Sequence, residues 1–308
     1  MKQGANNIIM GTAFGYAWND VEVFITSLSD SQFDGTLILV GIDPLVLSGM
    51  RFPFEVKFTG YRQLCLAAKL VRLRNRGRVR YLHRVVASVG RKLPDYLSSF
   101  YRLALTPLLH VACSRYIFYE RALLKLKDAE QVILTDVRDV VFNANPFLSE
   151  RPDALNVFLE ENPWTLGTEP VNRQWFRTTY GDAMLDEFKD MPISCSGVTI
   201  GNRKEVLFYL ETMNKEITRL CEQIIGMHGV DQSIHNKLLH SGKFPAKPVA
   251  NGDGVVWTAK LAAMNIMNQP NESGADELRS MARRFPIVHQ YDWINILIKE
   301  TVAGRAND

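Results

Sequence analysis

At residues 132–142 the chain reads VILTDVRDVVF, two apolar runs joined through a pair of aspartates. The first run is rich in β-branched residues and has polar neighbours, which predicts a buried strand. Asp136 and Asp139 would then lie where this strand leaves the sheet, the edge at which open α/β sheets bind ligands. Neighbouring carboxylates repel each other, and a divalent cation carrying phosphate oxygens would relieve that repulsion. The alternative is an acidic turn in which Asp139 pairs with Arg138 or with a remote arginine.

The composition is that of an ordinary globular protein. Of the 308 residues, 46% are hydrophobic and 22% are charged, which argues against disorder. This length suits one large α/β domain or two small ones, and we expect a single domain over residues 1–308. The net charge of only +3 argues against binding through bulk charge to a polyanion, so no nucleic-acid partner is expected.

The cysteines and the hydropathy pattern predict a cytoplasmic protein. The four cysteines form no C-x-x-C pair, which argues against a zinc ribbon or a disulfide scaffold and fits a reducing compartment. Neither an apolar leader at the N-terminus nor a run of about 18 apolar residues is present. We therefore expect neither secretion nor a membrane span.

Alternating strand and helix patterns at the start of the chain indicate a parallel sheet. Residues 7–12 predict a strand, Asn19 or Asp20 can cap a helix through Ser29, and residues 36–40 predict a second strand. A strand, a helix and a strand within about 35 residues form a βαβ unit. Further patterns predict helices over 114–127, 205–225 and 231–239, a short strand at 198–200, and a short strand or an extended segment at 287–289.

The segment 62–92 carries ten arginines and lysines with apolar residues between them. Residues 67–73 within it suit an amphipathic helix. We interpret it as a basic, partly helical insertion that faces an acceptor or a membrane. Contact with anionic lipid headgroups, with a phosphate-bearing acceptor or with nucleic acid would each suit this pattern, and a solvated basic helix or a mobile loop is the alternative.

Three further motifs carry polar groups that suit a binding site. Small residues in SCSGVTIG, 194–201, let a backbone approach a ligand closely and offer hydroxyls, although they also suit a tight strand entry. In GVDQSIHN, 229–236, Asp231 can cap the following helix or present its carboxylate to a cleft. His289 can ligate a divalent metal or form an ordinary structural hydrogen bond.

The order of these motifs resembles nucleotide-sugar glycosyltransferases of the GT-A fold. Short matches run from about residue 7 to 292, and the chain is most similar to the retaining family 8 type and its bacterial relatives. The family's acidic motif is Asp-x-Asp, whereas Val137 and Arg138 separate the two acids here. Either Asp139 takes the metal-binding place with Asp136 in support, or Arg138 contacts the diphosphate directly. The glycine and lysine that usually follow the family's late histidine are absent after His289.

The resemblance implies an α/β fold with a mostly parallel central sheet flanked by helices, and it implies a role for each motif. Mn²⁺ or Mg²⁺ would be held by Asp136, Asp139 and His289. Thr12 with Phe14 or Tyr16 would hold the nucleotide base, and Arg115 would reach the donor phosphates or form a structural ion pair. Three positions would contact the donor sugar: Ser196, Gly197 and Asp231.

The resemblance also implies roles in the reaction itself. Gln232 would lie near the anomeric carbon and stabilise oxocarbenium-like charge. Asp231 is the candidate base of an inverting reaction, whereas in a retaining reaction the leaving phosphate can take the acceptor proton.

The implied activity is transfer of a sugar from a UDP- or GDP-linked donor to a glycan or a lipid-linked acceptor, as in polysaccharide biosynthesis. The protein would be cytoplasmic, with peripheral contact at the inner membrane face through segment 62–92. One alternative is a sugar nucleotidyltransferase, which normally has a basic glycine-rich loop after its first strand, and GTAFG at 11–15 is a poor version of one. The other is a non-catalytic binding module that uses segment 62–92.

Overall fold

The computed structural model describes residues 6–73, 101–106, 109–148, 152, 154–221, 223–224, 226–267, 274–294 and 296. Most of the basic segment 62–92 lies outside the described residues, so its predicted contacts stay predictions. Its first residues belong to helix α2 (Tyr61–Leu73), which contains the helix predicted over 67–73.

The chain forms an α/β fold around a seven-stranded sheet, as predicted. The strand order is β3-β2-β1-β4-β7-β6-β8, and every strand except β7 runs in the same direction. The strands are β1 (Ile8–Thr12), β2 (Thr36–Val40), β3 (Glu55–Thr59), β4 (Gln131–Asp136), β6 (Asn156–Leu159), β7 (Ser194–Asn202) and β8 (Lys247–Val249). The two strands predicted at the start of the chain are β1 and β2.

Strand β7 is longer than the strand predicted at 198–200 and runs antiparallel to β4. Thr12 pairs with Asp136, and Thr135 pairs with Val198. The first residues of β7 therefore lie at the same sheet edge as the last residues of β1, β4 and β6. A strand buried on both faces has the same residue pattern in either direction, so the sequence could not predict this orientation.

Helices cover both faces of the sheet. Neighbouring residues of β1 point to opposite sides and are apolar, so each face has side chains to bury. Ile8 and Met10 join the core formed with the helices at 111–125, 203–220 and 230–240, and Ile9 joins the core formed with the helix at 18–30. The remaining helices are α1 (Trp18–Asp30), α3 (Val111–Lys125), α4 (Pro170–Tyr180), α5 (Asp182–Phe188), α6 (Arg203–Leu220), α7 (Val230–His240), α8 (Ala259–Met267) and α9 (Gly274–Ala282), with a short 3₁₀ turn at Pro44–Leu47. No helix within the described ranges is both long enough and apolar enough to cross a bilayer.

Helix α6 is shorter than the helix predicted over 205–225. The Asn202 side chain accepts a hydrogen bond from the backbone N–H of Glu205 and fixes the beginning of the helix. At the other end, the N–H of Cys221 donates to the carbonyl of Thr218, three residues earlier. A bond of this spacing closes the last turn as a 3₁₀ turn.

A second, three-stranded sheet carries the end of the chain towards the first. Its order is β5 (Val140–Phe142), β10 (Ile287–His289) and β9 (Val256–Thr258). The strand predicted at 287–289 exists, and it pairs antiparallel with β5 so that His289 lies opposite Val140. Because Val140 directly follows Asp139, this pairing brings a late histidine to the acidic pair.

Candidate functional site

Asp136, Asp139 and His289 meet at the carboxyl edge of the large sheet. Each offers one ligand atom, and these atoms all lie within 4.8 Å of one another. The Nε2 atom of His289 is 3.6 Å from Oδ2 of Asp136 and 3.7 Å from Oδ2 of Asp139. We call these three residues the acid–histidine triad.

The orientation of His289 follows from contacts on its other side. Its Nδ1 atom lies 3.5 Å from Sγ of Cys195, which leaves Nε2 facing the carboxylates. The N–H of Tyr291 donates to the carbonyl of Asp139 at 3.2 Å and ties the acidic turn to the end of β10. Partners of this kind fix the ring orientation of a histidine that ligates a metal.

The three residues of the triad shift one another's pKa values. Burial raises the pKa of Asp139 to about 6, and the charge of Asp136 adds to this effect while His289 opposes it. Burial also acts to raise the pKa of Asp136, but Arg115 and His289 outweigh it and hold that pKa below its ordinary value. Burial acts to lower the pKa of His289, and the surrounding acidic groups reverse that effect.

Gly197 leaves room for the triad because it has no side chain. A Cβ atom at this position would lie 2.5 Å from Nε2 of His289 and 2.9 Å from Oδ2 of Asp136. Both separations are far below an ordinary van der Waals contact. The backbone at Gly197 thus approaches the imidazole and a carboxylate of the triad. Gly197 is not among the residues that line the cleft, and its predicted contact with a ligand stays a prediction.

Arg115 on α3 links two carboxylates beneath the triad. It forms an ion pair with Oδ1 of Asp136 and a second one, 2.9 Å long, with Oδ2 of Asp231. It also donates to the carbonyl of Ser196 at 3.2 Å. The Arg115 side chain is only 8% exposed, so it forms the structural ion pair that was the alternative to phosphate binding.

Most of the predicted site residues line one cleft of about 540 Å³. The lining includes Thr12, Tyr16, Arg115, Arg138, Ser196, Asp231 and Gln232 together with the triad. Phe14 is not among the lining residues, and it packs against the core cluster of α3, α6 and α7. The Thr12 hydroxyl is 2.8 Å from that of Tyr119.

Several lining residues were missed from the sequence. Gln232 donates through Nε2 to Oε1 of Glu160 at 3.1 Å and to Oδ1 of Asn172 at 2.7 Å. Glu160 is buried, and this burial raises its pKa. A detectable signal existed for Glu160, since it follows the apolar residues of β6 as Asp136 follows those of β4. Other missed lining residues include Asn172, His110, Trp175, His228 and Lys260, for which no comparable pattern stands out.

The donor set of the triad fits the predicted cations. Carboxylate oxygens are the protein ligands that Mg²⁺ and Mn²⁺ take, and an imidazole nitrogen suits first-row transition metals. Two such oxygens and one nitrogen converge here, and all three residues line the cleft. Comparison with models of known protein families and with curated proteins found no match to this chain.

Proposed function

We propose that the protein is a metal-assisted glycosyltransferase of the GT-A type. It would transfer a sugar from a UDP- or GDP-linked donor to a glycan or a lipid-linked acceptor. The observation that carries this proposal is the acid–histidine triad in a cleft of about 540 Å³ at the carboxyl ends of parallel strands. That volume lies within the range of about 300–1,000 Å³ that is typical of pockets for small organic ligands. The position is the usual ligand site of open α/β sheets.

The arrangement of the motifs supports the resemblance. The acidic pair, the Ser-Gly segment, the Asp-Gln pair and the late histidine are far apart in the sequence, yet residues from all four line this cleft or touch its lining. Four separate structural roles would not require the four motifs to converge, whereas one site for a nucleotide sugar does.

In this proposal the triad holds the cation and the diphosphate. Asp136 would bind through Oδ2, since Arg115 already holds its Oδ1. Asp139 and Nε2 of His289 would complete the protein ligands. A bound Mn²⁺ or Mg²⁺ would supply positive charge to the departing nucleoside diphosphate. Arg138 is exposed at the cleft beside Asp139, where its guanidinium can bind a phosphate group.

The environment of Asp231 supports a retaining reaction. Its Oδ2 atom accepts from Arg115 at 2.9 Å and from the hydroxyl of Ser196 at 3.4 Å. An oxygen with both of these partners is poorly placed to take a proton from an acceptor hydroxyl. Asp231 would instead orient Arg115 and the donor sugar, and the leaving diphosphate would take that proton.

The proposal is tested by thermal unfolding with UDP and with GDP, each in Mn²⁺, in Mg²⁺ and in EDTA. A ligand at about 100 times its Kd stabilises the folded protein by about 2.7 kcal/mol. The Asp139→Asn variant should lose the metal-dependent part of this shift and its transferase activity but still fold. Asp292→Asn removes a carboxylate from the same cleft outside the triad and should keep the shift.

Either of two results would overturn this assignment. One is a full metal-dependent shift in Asp139→Asn, which would exclude the triad as the cation site. The other is a wild-type protein that neither nucleotide stabilises in any of the three conditions.

A further inference from the structure

One wall of the cleft is aromatic and lies away from the acid–histidine triad. Three rings line it: His110, Trp175 and His228. The His110 and His228 ring centroids are 5.1 Å apart, and those of Trp175 and His228 are 5.5 Å apart, both in edge-to-face arrangements. We call these three residues the aromatic wall.

The local backbone holds the aromatic wall in place. His110 caps α3, since its Nδ1 atom accepts from the N–H of Ala112 at 3.3 Å. Gly229 has a left-handed φ of 74°, and a Cβ there would lie 2.5 Å from Nε1 of Trp175. The indole therefore packs directly on the backbone that leads into α7, and no other residue type fits at Gly229 without moving the indole.

The aromatic wall and the triad occupy different parts of the cleft. Trp175 packs on Gly229, two residues before Asp231, and His110 begins the helix that carries Arg115. Arg115 pairs with Asp231 and with Asp136. The aromatic wall is thus connected to the triad through Asp231 and Arg115.

The polar groups near Trp175 are suited to hydroxyls. Asn172, one helical turn before Trp175 on α4, is buried, and its side chain is already bonded to Glu169 and Gln232. The polar atoms that remain at the wall are those of His228 and Nε2 of His110. The cations of this region already have acidic partners: Arg115 is paired with two aspartates, and Lys260 lies 3.9 Å from Oε1 of Glu169. Among the described lining residues near the wall, this leaves the two imidazoles for a ligand that carries no charge.

We propose that the aromatic wall binds a neutral pyranose sugar and that this sugar is the acceptor. The second part of this inference rests on the proposed function. The C–H face of a pyranose ring would pack on Trp175, and its hydroxyls would bond to His228 and to Nε2 of His110. A half-buried indole with polar groups at its border is the combination that an amphipathic ring requires.

The experiment measures sugar binding and donor binding separately. Saturation-transfer NMR would be recorded on the wild-type protein with methyl glycosides of glucose, galactose, mannose and N-acetylglucosamine, without nucleotide. The variants are Trp175→Leu, Trp175→Phe and, as a control, Phe208→Leu, which removes an exposed ring on α6 outside the cleft. The donor site would be followed by the thermal shift with UDP or GDP and Mn²⁺.

We expect the wild-type protein and Phe208→Leu to bind at least one glycoside through protons of a single ring face. Trp175→Leu should weaken that binding about tenfold, because it removes the stacking surface. Trp175→Phe should recover part of it. The nucleotide shift should be the same in all four proteins, and the KM for the acceptor should rise while that for the donor does not.

Three results would overturn the proposal: no saturable binding of any of these glycosides, equal binding by Trp175→Leu, or loss of the nucleotide shift in Trp175→Leu. The last would identify the aromatic wall as the site of the nucleotide base. Failure of the proposed function has a different signature, namely sugar binding that depends on Trp175 in a protein that no nucleotide stabilises.

Discussion

Replacing Gly197 with alanine tests the geometry of the acid–histidine triad with a single added carbon. The new Cβ would start 2.5 Å from Nε2 of His289, and ordinary van der Waals contact begins at 3.4 Å. Because Cε1 of the same ring would be closer still, the imidazole would have to retreat by about 1 Å. It is 1% exposed and has Cys195 at 3.5 Å on its other side, so it has little space in which to move.

The expected cost of Gly197→Ala appears in both stability and function. Overpacking a filled interior destabilises a protein by about 1–3 kcal/mol. A displacement of about 1 Å in a positioned group lowers a rate by about 100-fold. We therefore expect a modest loss in the free energy of unfolding, measured with urea, and a fall of about 100-fold in Mn²⁺ affinity and in activity. Free Mn²⁺ measured by electron paramagnetic resonance gives the affinity directly.

Gly201→Ala is the matched control on the same strand. Its Cβ would lie 3.0 Å from Cδ1 of Leu155 and 3.3 Å from Cγ2 of Val206, both apolar neighbours outside the triad. This variant should lose about 1 kcal/mol of stability or less and bind Mn²⁺ as the wild type does. If Gly197→Ala also binds Mn²⁺ within about threefold of the wild type, the triad is not the cation site.

Two further predictions concern buried charge. Arg115→Met removes the cation that pairs with Asp136 and with Asp231, whose side chain is only 7% exposed. The free energy of unfolding should therefore fall by about 3–5 kcal/mol. A loss below about 1 kcal/mol would contradict the ion-pair assignment. His235 is fully buried between the hydroxyls of Ser194 and Tyr209, and burial lowers its pKa from 6.5 to about 3. Below pH 6.5 only the unfolded chain takes up this proton, so stability falls as pH drops from 6.5 towards 3, by about 2 kcal/mol at pH 5. Urea unfolding of His235→Gln at pH 7.5 and pH 5 should lack this part of the decline, and an unchanged decline would exclude His235 as its source.

The beginning of the fold could be predicted because its signals are local. The helix face of Val21, Phe24, Ile25 and Leu28 is buried in α1 as the 3.6-residue period indicates. The apolar run before Asp136 is a buried strand for the same kind of reason. Strand direction and sheet membership depend on contacts between distant segments. The orientation of β7 and the separate sheet of β10 therefore could not be predicted.

The candidate site shows the same division. The acidic pair, Ser196, Gln232 and His289 carry enough local pattern to be singled out, and the structure places them around one cleft. The aromatic wall was missed because a tryptophan on an amphipathic helix looks like any core or surface residue in sequence. Only the packing of α4 against the residues before α7 places Trp175 in the cleft.

The sequence by itself determined which residue types stand at the ends of strands: two carboxylates after β4, a hydroxyl and a glycine at the beginning of β7, and a histidine closing β10. The tertiary structure alone decided which of these groups face one another. In that structure Oδ1 of Asp136 pairs with Arg115 and Oδ2 faces His289, and Asp231 pairs with the same arginine. The physical reason is that charge pairing acts across distances in space of a few ångströms, whereas these partners are 21 to 153 positions apart along the chain.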